Sequence, residues 1–224
     1  MQKNETCYMC ECLATSQEHA PPKCIFPEQK DTGGINYRKG LIKVPSCEVH
    51  NSAKSSDDEY LMYVLPTSIA SNSVGINQFL TKIKRGISRN PSLATNLVTN
   101  AQKVTVHDTK KDVWFEATAI QINMERVRRV IEMNARAIYY HERKMKFTNP
   151  IKVLTNFSLK FNDPKANDLQ EKIFNMSEFL LKNAEAKGAN SDVFAYKITR
   201  ASTIEIIEFT YYGTSKALAF LQHD

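Results

Sequence analysis

Two pairs of soft metal ligands constrain the fold of this chain more than any other feature of its sequence. Cys7 and Cys10 are separated by two residues, and so are Cys47 and His50. Tetrahedral zinc takes thiolate and imidazole ligands, usually as two closely spaced pairs from different segments. The spacing therefore predicts a structural Zn²⁺ that joins residues 7–10 to residues 47–50, with a small, turn-rich module around it.

The remaining cysteines leave alternatives to this ligand set. Cys12 is a second candidate for the place of Cys10, although the Cys-x-Cys spacing suits tetrahedral zinc less well. A redox-active Cys-x-x-Cys is another interpretation, but it requires a thioredoxin-like strand and helix, which residues 12–22 do not provide. Cys24 is left over, and we expect it to be a partly buried thiol.

Composition sets the class of protein. The chain has 224 residues, of which 42% are apolar and 24% charged, as in a folded soluble protein. It contains no run of about 18 apolar residues and no apolar stretch after Met1, so we expect no membrane contact, no secretory signal and a cytoplasmic location. The net charge of +6 favours an anionic partner, although the excess is modest.

The hydrophobic pattern predicts an α+β protein in two parts. Residues 1–65 form the zinc module, residues 66–76 a small, polar linker, and residues 77–224 a mixed helix and sheet domain for nucleic-acid or partner binding. The predicted helices cover residues 51–65, 77–87, 91–103, 124–142 and 167–183. The predicted strands cover residues 41–44, 112–123, 151–161, 193–199, 202–212 and 215–221, with a hairpin turn at Arg200-Ala201.

A second set of residues has the chemistry of phosphodiester hydrolysis. Such a reaction needs a base that activates water, a hard cation and a group that holds the phosphate. His19 supplies an imidazole base, while Glu18 and Asn51 supply oxygen atoms of the kind that Mg²⁺ prefers. Lys54 follows Asn51 by three residues on the predicted helix, so both side chains are expected to face one site.

Taken together, these motifs resemble the HNH endonucleases of the ββα-metal superfamily. The resemblance rests on Cys-x-x-Cys, then Glu-His-x-x-Pro, then Cys-x-x-His-Asn-x-x-Lys, and it covers residues 7–65. Residues 44–47 and 57–60 are similar to a bacterial subgroup that is often found in phage-defence loci. Residues 134–142 resemble a later segment of the same proteins more loosely.

The resemblance implies a fold, a function and a role for each residue. The N-terminal module would be a zinc-stapled, treble-clef-like ββα unit in a metal-dependent, largely sequence-nonspecific DNA endonuclease of antiviral defence. His19 would be the general base, Glu18 and Asn51 would hold catalytic Mg²⁺ or Mn²⁺, and Lys54 would help to hold the DNA backbone. The substrate would be DNA or RNA, and a regulatory ATPase or sensor protein is an expected partner.

One departure from the family pattern supports a second hypothesis. Many members carry an asparagine about five residues before the second zinc pair, where it orients the base. This chain has Gly40-Leu41-Ile42 there, and its nearest asparagine is Asn36. The alternative is a non-catalytic zinc module that binds nucleic acid or protein, in which His19 is a packed or hydrogen-bonded histidine and Glu18 a solvated carboxylate.

The C-terminal part offers features with two interpretations each. The arginines of residues 126–136 would line a phosphate track or would be solvated helix charges. Residues 139–140 are tyrosines that would stack on bases or pack in the core. The apolar helix 167–183 would dock a partner or pack on the sheet. For His107 and His141 we expect surface or packing roles.

Overall fold

The computed structural model describes residues 5–52, 54–68, 70–91, 100–108, 112–158 and 163–223. The described chain combines a short N-terminal ribbon, a helical middle part, an isolated hairpin and a five-stranded antiparallel sheet. The predicted mixture of helices and sheets is confirmed.

The N-terminal part is a two-stranded ribbon followed by helices. Strands β1 (Ser16–His19) and β2 (Lys43–Ser46) are antiparallel, with Ser16 opposite Ser46 and His19 opposite Lys43. Helices α1 (Glu48–Ser52) and α2 (Ser55–Val64) follow, and 3₁₀ turns at Lys23–Ile25 and Gln29–Asp31 lie between the strands. The predicted strand at 41–44 thus lies two residues later in the chain, and the predicted helix at 51–65 includes all of α2 but only the last two residues of α1.

The segment predicted to be a linker is hydrogen-bonded to the C-terminal part of the chain. It contains the 3₁₀ turn Leu65–Thr67 and the start of helix α3 (Ser73–Gln78). Asn72 caps α3, since its side chain accepts a hydrogen bond from the Gly75 N–H at 3.0 Å. The Asn72 backbone N–H donates to the carbonyl of Tyr212 at 3.0 Å.

The middle of the chain agrees with the helix prediction only in part. A π-helix (Phe79–Ile83) and helix α4 (Lys84–Arg89) continue α3, so helix is present throughout the predicted 77–87. The predicted helix 91–103 was wrong at its end, because Gln102–Asp108 forms strand β3. Valine and threonine alternate there and favour a strand. Residues 92–99 lie outside the described residues.

Two further elements follow β3, and both match the prediction. Strand β4 (Val113–Ala119) pairs with β3 as an antiparallel hairpin, within the predicted strand 112–123. Helix α5 (Met124–Arg143) matches the predicted helix 124–142.

The C-terminal part is an antiparallel sheet with a helix against it. The sheet has the order β5-β9-β8-β7-β6 and consists of β5 (Ile151–Thr155), β6 (Lys187–Asn190), β7 (Phe194–Ala201), β8 (Ile204–Tyr211) and β9 (Ser215–Gln222). The predicted turn was two residues early: the chain reverses at Ser202-Thr203, where Ser202 has a φ of 57°. The predicted strand 151–161 was too long: β5 ends at Thr155, residues 156–158 are not in a strand, and residues 159–161 lie outside the described residues.

Helix α6 (Pro164–Leu180) packs on the sheet through one side, as one interpretation of its sequence predicted. Phe174 of the helix and Leu181, which comes directly after the helix, are buried with Ile206 and Leu218 of the sheet. The other side carries exposed apolar residues, of which Phe179 is 77% exposed.

One apolar core extends from the N-terminal ribbon to the sheet. Helix α5 lies within it, and Val127, Ile131 and Ile138 are fully buried. The same core includes Tyr8, whose backbone bonds to β2, and Tyr211 of β8 in the sheet. The ribbon is therefore held in place by the rest of the molecule.

Candidate metal centre and the adjoining strand end

Four side chains converge at the base of the N-terminal ribbon. They are Cys7, Cys10, Cys47 and His50, and their ligand atoms all lie within 4.8 Å of one another. The Nδ1 atom of His50 is 3.4 Å from the Cys7 Sγ, 3.5 Å from the Cys10 Sγ and 3.3 Å from the Cys47 Sγ. The Sγ atoms of Cys10 and Cys47 are 3.8 Å apart. The predicted convergence of these four residues is confirmed.

These distances fit a tetrahedral metal such as zinc. Bonds of about 2.3 Å to sulfur and about 2.0–2.1 Å to nitrogen place tetrahedral ligand atoms about 3.6 Å apart for a sulfur–nitrogen pair and about 3.8 Å apart for two sulfurs. The set of three thiolates and one imidazole is typical of a closed structural site, which has no open position for substrate. It can hold a structural metal without movement of the backbone.

The backbone fixes both halves of this cluster. In the first, the Cys7 N–H donates to the Cys12 carbonyl at 2.9 Å, and the Tyr8 N–H donates to the carbonyl of Pro45 in β2 at 2.8 Å. In the second, Cys47 immediately precedes α1, so that His50 lies one turn into the helix beside it. The metal would join the N-terminal loop to the end of β2.

The thiols of the cluster differ in their electrostatics. Burial raises the pKa of Cys7, but the backbone N–H groups of Met9 and Cys47 and the ring of His50 outweigh it and lower the pKa to about 7. Burial raises the pKa of Cys47, and the thiols of Cys10 and Cys7 raise it further. A bound cation would favour all three thiolates, since a coordinating thiol loses its proton.

The two remaining cysteines lie outside the cluster. Cys12 is exposed. Cys24 is a half-buried thiol, as expected, and its Sγ donates to the carbonyl of Asp58 at 3.4 Å. Burial raises the pKa of Cys24 to about 11.

Strand β1 directs Glu18 and His19 to opposite faces of the ribbon, because successive side chains of a strand alternate. Glu18 is buried on the helical side, where the Lys54 Nζ lies 2.9 Å from its Oε1 atom. The same ammonium group donates to both carboxylate oxygens of Asp58, at 2.9 and 3.0 Å. Lys54 is only 3% exposed, so Glu18, Lys54 and Asp58 form a buried ion-pair cluster.

Both residues expected to hold a catalytic cation make other contacts, Asn51 through its NH₂ group and not through the oxygen that would bind a cation. Glu18 accepts from the Lys54 ammonium group, and the Asn51 Nδ2 donates to the Ser16 Oγ at 2.8 Å. A divalent ion on Glu18 would lie next to the Lys54 charge. Among the described residues, the zinc-type cluster is the one group of three or more His, Cys, Asp or Glu side chains suited to a metal. A divalent ion at Glu18 would therefore have to compete with the ammonium group of Lys54 for this carboxylate.

His19 lies on the open face at the end of β1. Burial lowers its pKa, and the charges of Lys43, Lys23 and Lys54 lower it further. Within the described part of the chain its ring has no hydrogen-bond or ion-pair partner. Asn36, the nearest candidate to orient it, instead accepts from the Arg38 backbone N–H at 3.0 Å.

Sequence reasoning missed two residues of this region. Asp58 completes the cluster around Lys54, and its spacing of four residues on a helix was a usable signal. Lys43 lies directly opposite His19 in the ribbon. Its position follows from the strand register, which the sequence does not reveal over four residues.

The features of the C-terminal part have mostly structural roles. Of the arginines in 126–136, Arg126 and Arg129 bind Asp57 at 2.6 and 2.7 Å, an ion-pair cluster that ties α5 to α2. Tyr139 is buried in the core. His107 stacks on Trp114 with the ring centroids 4.2 Å apart, and His141 is half-buried on α5.

No protein-family model, curated protein or solved structure matches this chain. The described helices include none that is long and apolar enough to cross a membrane.

Proposed function

We propose that this protein is an HNH-type endonuclease that hydrolyses phosphodiester bonds of DNA, with His19 as the general base. One observation carries the proposal: an unpartnered, half-buried imidazole lies among lysines at the end of a ββα unit that has a zinc-type ligand cluster at its base. Burial and positive charge favour its neutral form near pH 7. A neutral imidazole can accept a proton, and the lysines attract a phosphate.

The reaction follows from these two properties. His19 would accept a proton from a water molecule as the water oxygen bonds to phosphorus. The bond between phosphorus and the leaving oxygen then breaks, and that oxygen takes a proton from solvent. Positive side chains near the phosphate would stabilise the charge that develops on its oxygens. The structural metal would hold the strand end against α1 and would not contact the substrate.

The predicted Mg²⁺ or Mn²⁺ stays a prediction. Because Glu18 already accepts from Lys54, no step of the proposed reaction is assigned to such an ion. Cleavage with and without each divalent ion tests this prediction directly.

The test is cleavage of supercoiled plasmid by zinc-loaded protein. We expect nicked or linear product from the wild type and none from His19→Ala at unchanged zinc content. His141→Ala is the matched control, since His141 is also half-buried and its pKa is also lowered by burial. Equal cleavage by the wild type and His19→Ala would overturn the mechanism.

The second candidate is the non-catalytic zinc module that binds nucleic acid or protein. Its expectation of a solvated Glu18 was wrong, because Glu18 is buried. The cluster of Glu18, Lys54 and Asp58 nevertheless favours a structural role for this carboxylate, since it is paired with an internal ammonium group. This hypothesis predicts binding of nucleic acid or protein that survives His19→Ala and Glu18→Ala, with no product under any divalent ion.

The predicted defence role, regulatory ATPase or sensor partner, RNA cleavage and cytoplasmic location are also proposals. If the pure protein binds DNA without cutting it, products of neighbouring genes should be added to the assay. Cleavage that then appears, and that requires His19, would support a regulated nuclease over the binding module.

A further inference from the structure

We propose that Lys43 and Lys23 form a phosphate-binding site beside His19, with Lys43 as its main anchor for the DNA backbone. This inference rests on the proposed function, because it names the residues that hold the substrate at the proposed base. It assigns the positioning role to side chains on the open face of the ribbon instead of to Lys54.

The first observation is the strand register. His19 and Lys43 are directly opposite each other in the antiparallel pair β1–β2. Opposite residues project from the same face, with Cβ atoms about 4.5–5.5 Å apart. The flexible Lys43 side chain therefore starts next to the imidazole and can bring its ammonium group to an anion that contacts His19.

The second observation is that both lysines lack a counter-ion. Lys23 and Lys43 are exposed, and neither has a carboxylate within ion-pair distance in the described residues. Two other lysines of the N-terminal half do have one: Lys30 is 2.6 Å from Glu28, and Lys82 is 4.0 Å from the same carboxylate. Adjacent unpaired cations attract an anion.

The third observation is that Lys23 is held in a fixed segment. It begins the 3₁₀ turn Lys23–Ile25, and the Phe26 N–H closes this turn on the Lys23 carbonyl at 3.2 Å. The Gln78 Nε2 donates to the carbonyls of Cys24 and Ile25 at 3.2 and 3.4 Å. The turn that carries Lys23 is therefore anchored to α3, and the Lys23 charge is close enough to His19 to lower the pKa of that ring.

The fourth observation concerns Lys54, which the sequence assigned to backbone binding. It is buried, and its ammonium group already contacts two carboxylates. In that position it offsets the charge of Glu18 beneath the ribbon and leaves the open face positive. Lys54 therefore supports the ribbon, while Lys43 and Lys23 are free to bind.

The chemistry of lysine defines the ligand as a phosphate of the DNA backbone. An ammonium group binds phosphate as a compact point charge and reads no base sequence. Binding should therefore be sequence-independent and should weaken steeply with salt, because each neutralised phosphate releases counter-ions.

The experiment compares Lys43→Gln and Lys23→Gln with Lys165→Gln. Lys165 is an exposed lysine on α6, so its variant has the same change in net charge at a distant position. The probe is a fluorescent 20-base-pair duplex, and anisotropy is measured over a salt series in buffer without divalent ions. Zinc content and Tm of each variant are checked first.

We expect Lys43→Gln to weaken binding and to reduce the slope of log K against log salt by about one. Lys23→Gln should have a smaller effect of the same kind, and Lys165→Gln should resemble the wild type. In the cleavage assay Lys43→Gln should raise KM much more than it lowers kcat. If Lys43→Gln and Lys165→Gln have the same affinity and salt slope, the inference is overturned.

The failures of the two proposals are distinguishable. Binding that depends on Lys43 in a protein that never cleaves DNA would support the phosphate site and reject the hydrolysis. Cleavage that depends on His19 but not on Lys43 would support the hydrolysis and reject the phosphate site.

Discussion

At the scale of single residues, the structure separates two side chains that are neighbours in the sequence. Glu18 is buried and ion-paired, while His19 lies on the open face among lysines. The sequence indicated both residue types and their chemistry, because Glu-His is visible as a motif. It could not indicate their opposite environments, which depend on what packs against each face of β1.

His19 gives a prediction for the pH dependence of cleavage. Its pKa is lowered by burial and then by the lysine charges, so it lies below the ordinary value of about 6.5. The base works only when neutral, so the rate should fall as the pH drops through this lowered pKa. We expect the midpoint of that fall below pH ~6.5.

NMR titration of the histidine rings measures the same pKa without catalysis. Lys43→Gln should raise the His19 pKa towards its ordinary value, because it removes a nearby positive charge. Lys165→Gln should leave the pKa unchanged. A midpoint for His19 at or above pH ~6.5 in the wild type would contradict the described environment.

Lys54 gives a prediction for stability. Lys54→Met leaves the buried carboxylate of Glu18 and the half-buried carboxylate of Asp58 without a counter-ion, and breaking a buried ion pair costs about 3–5 kcal/mol. Lys43→Met, at an exposed position, should change the free energy of unfolding by less than about 0.5 kcal/mol. Urea unfolding at pH 7 measures both.

The sign of the pH effect on this variant follows from the carboxylates. Burial raises the pKa of Glu18 and of Asp58, and loss of Lys54 should raise both further. Protonation then neutralises these carboxylates. The loss of unfolding free energy in Lys54→Met should therefore be smaller at pH 5 than at pH 7. If this loss of unfolding free energy grew on acidification, the broken ion pairs of Glu18 and Asp58 would not be its cause.

At the scale of elements, strong periodicity was a reliable signal and short segments were not. Helix α5 and strands β7–β9 were predictable because each has a long run of alternating or helically spaced apolar residues. Strand β6 was missed because Gly188 and Ala189 have low strand propensity. The four zinc ligands were predictable from their spacing alone. Each pair is separated by two residues, which brings both ligand atoms to one metal whatever sequence lies between the pairs.

The metal centre gives a prediction at the scale of the ribbon and α1. Cys47→Ser should abolish stoichiometric zinc binding, whereas Cys12→Ser should retain one zinc per chain, because Cys12 is exposed and outside the cluster. Zinc at a hundredfold excess over its Kd contributes about 2.7 kcal/mol. We therefore expect Cys47→Ser to lower Tm by roughly 5–10 °C.

Two measurements check this prediction. Zinc is quantified by atomic absorption on protein purified without added metal, and Tm is followed with and without a chelator. The chelator should lower the Tm of the wild type and of Cys12→Ser, but not that of Cys47→Ser. If Cys12→Ser lost its zinc instead, Cys12 and not Cys10 would be the zinc ligand.

At the scale of the whole molecule, the sequence predicted two parts separated by a linker at residues 66–76. In the structure one apolar core contains residues from both parts. Composition indicated a linker there, because the stretch is small and polar. The sequence could not reveal that Asn72 bonds to Tyr212 or that one apolar core joins Tyr8 to Tyr211. Such contacts connect positions far apart in the chain, and local composition carries no information about them.

This arrangement predicts one cooperative unfolding transition for the full chain. Residues 77–224 expressed alone would expose the part of α5 that packs against α2, where Asp57 also binds Arg126 and Arg129. Removing that apolar cover should leave a fragment that binds a hydrophobic dye and melts broadly, because its core is incomplete. Calorimetry of the intact chain at the same concentration is the control. A sharp transition from the fragment, equal in enthalpy per residue to that of the full chain, would instead support the independent C-terminal domain that the sequence predicted.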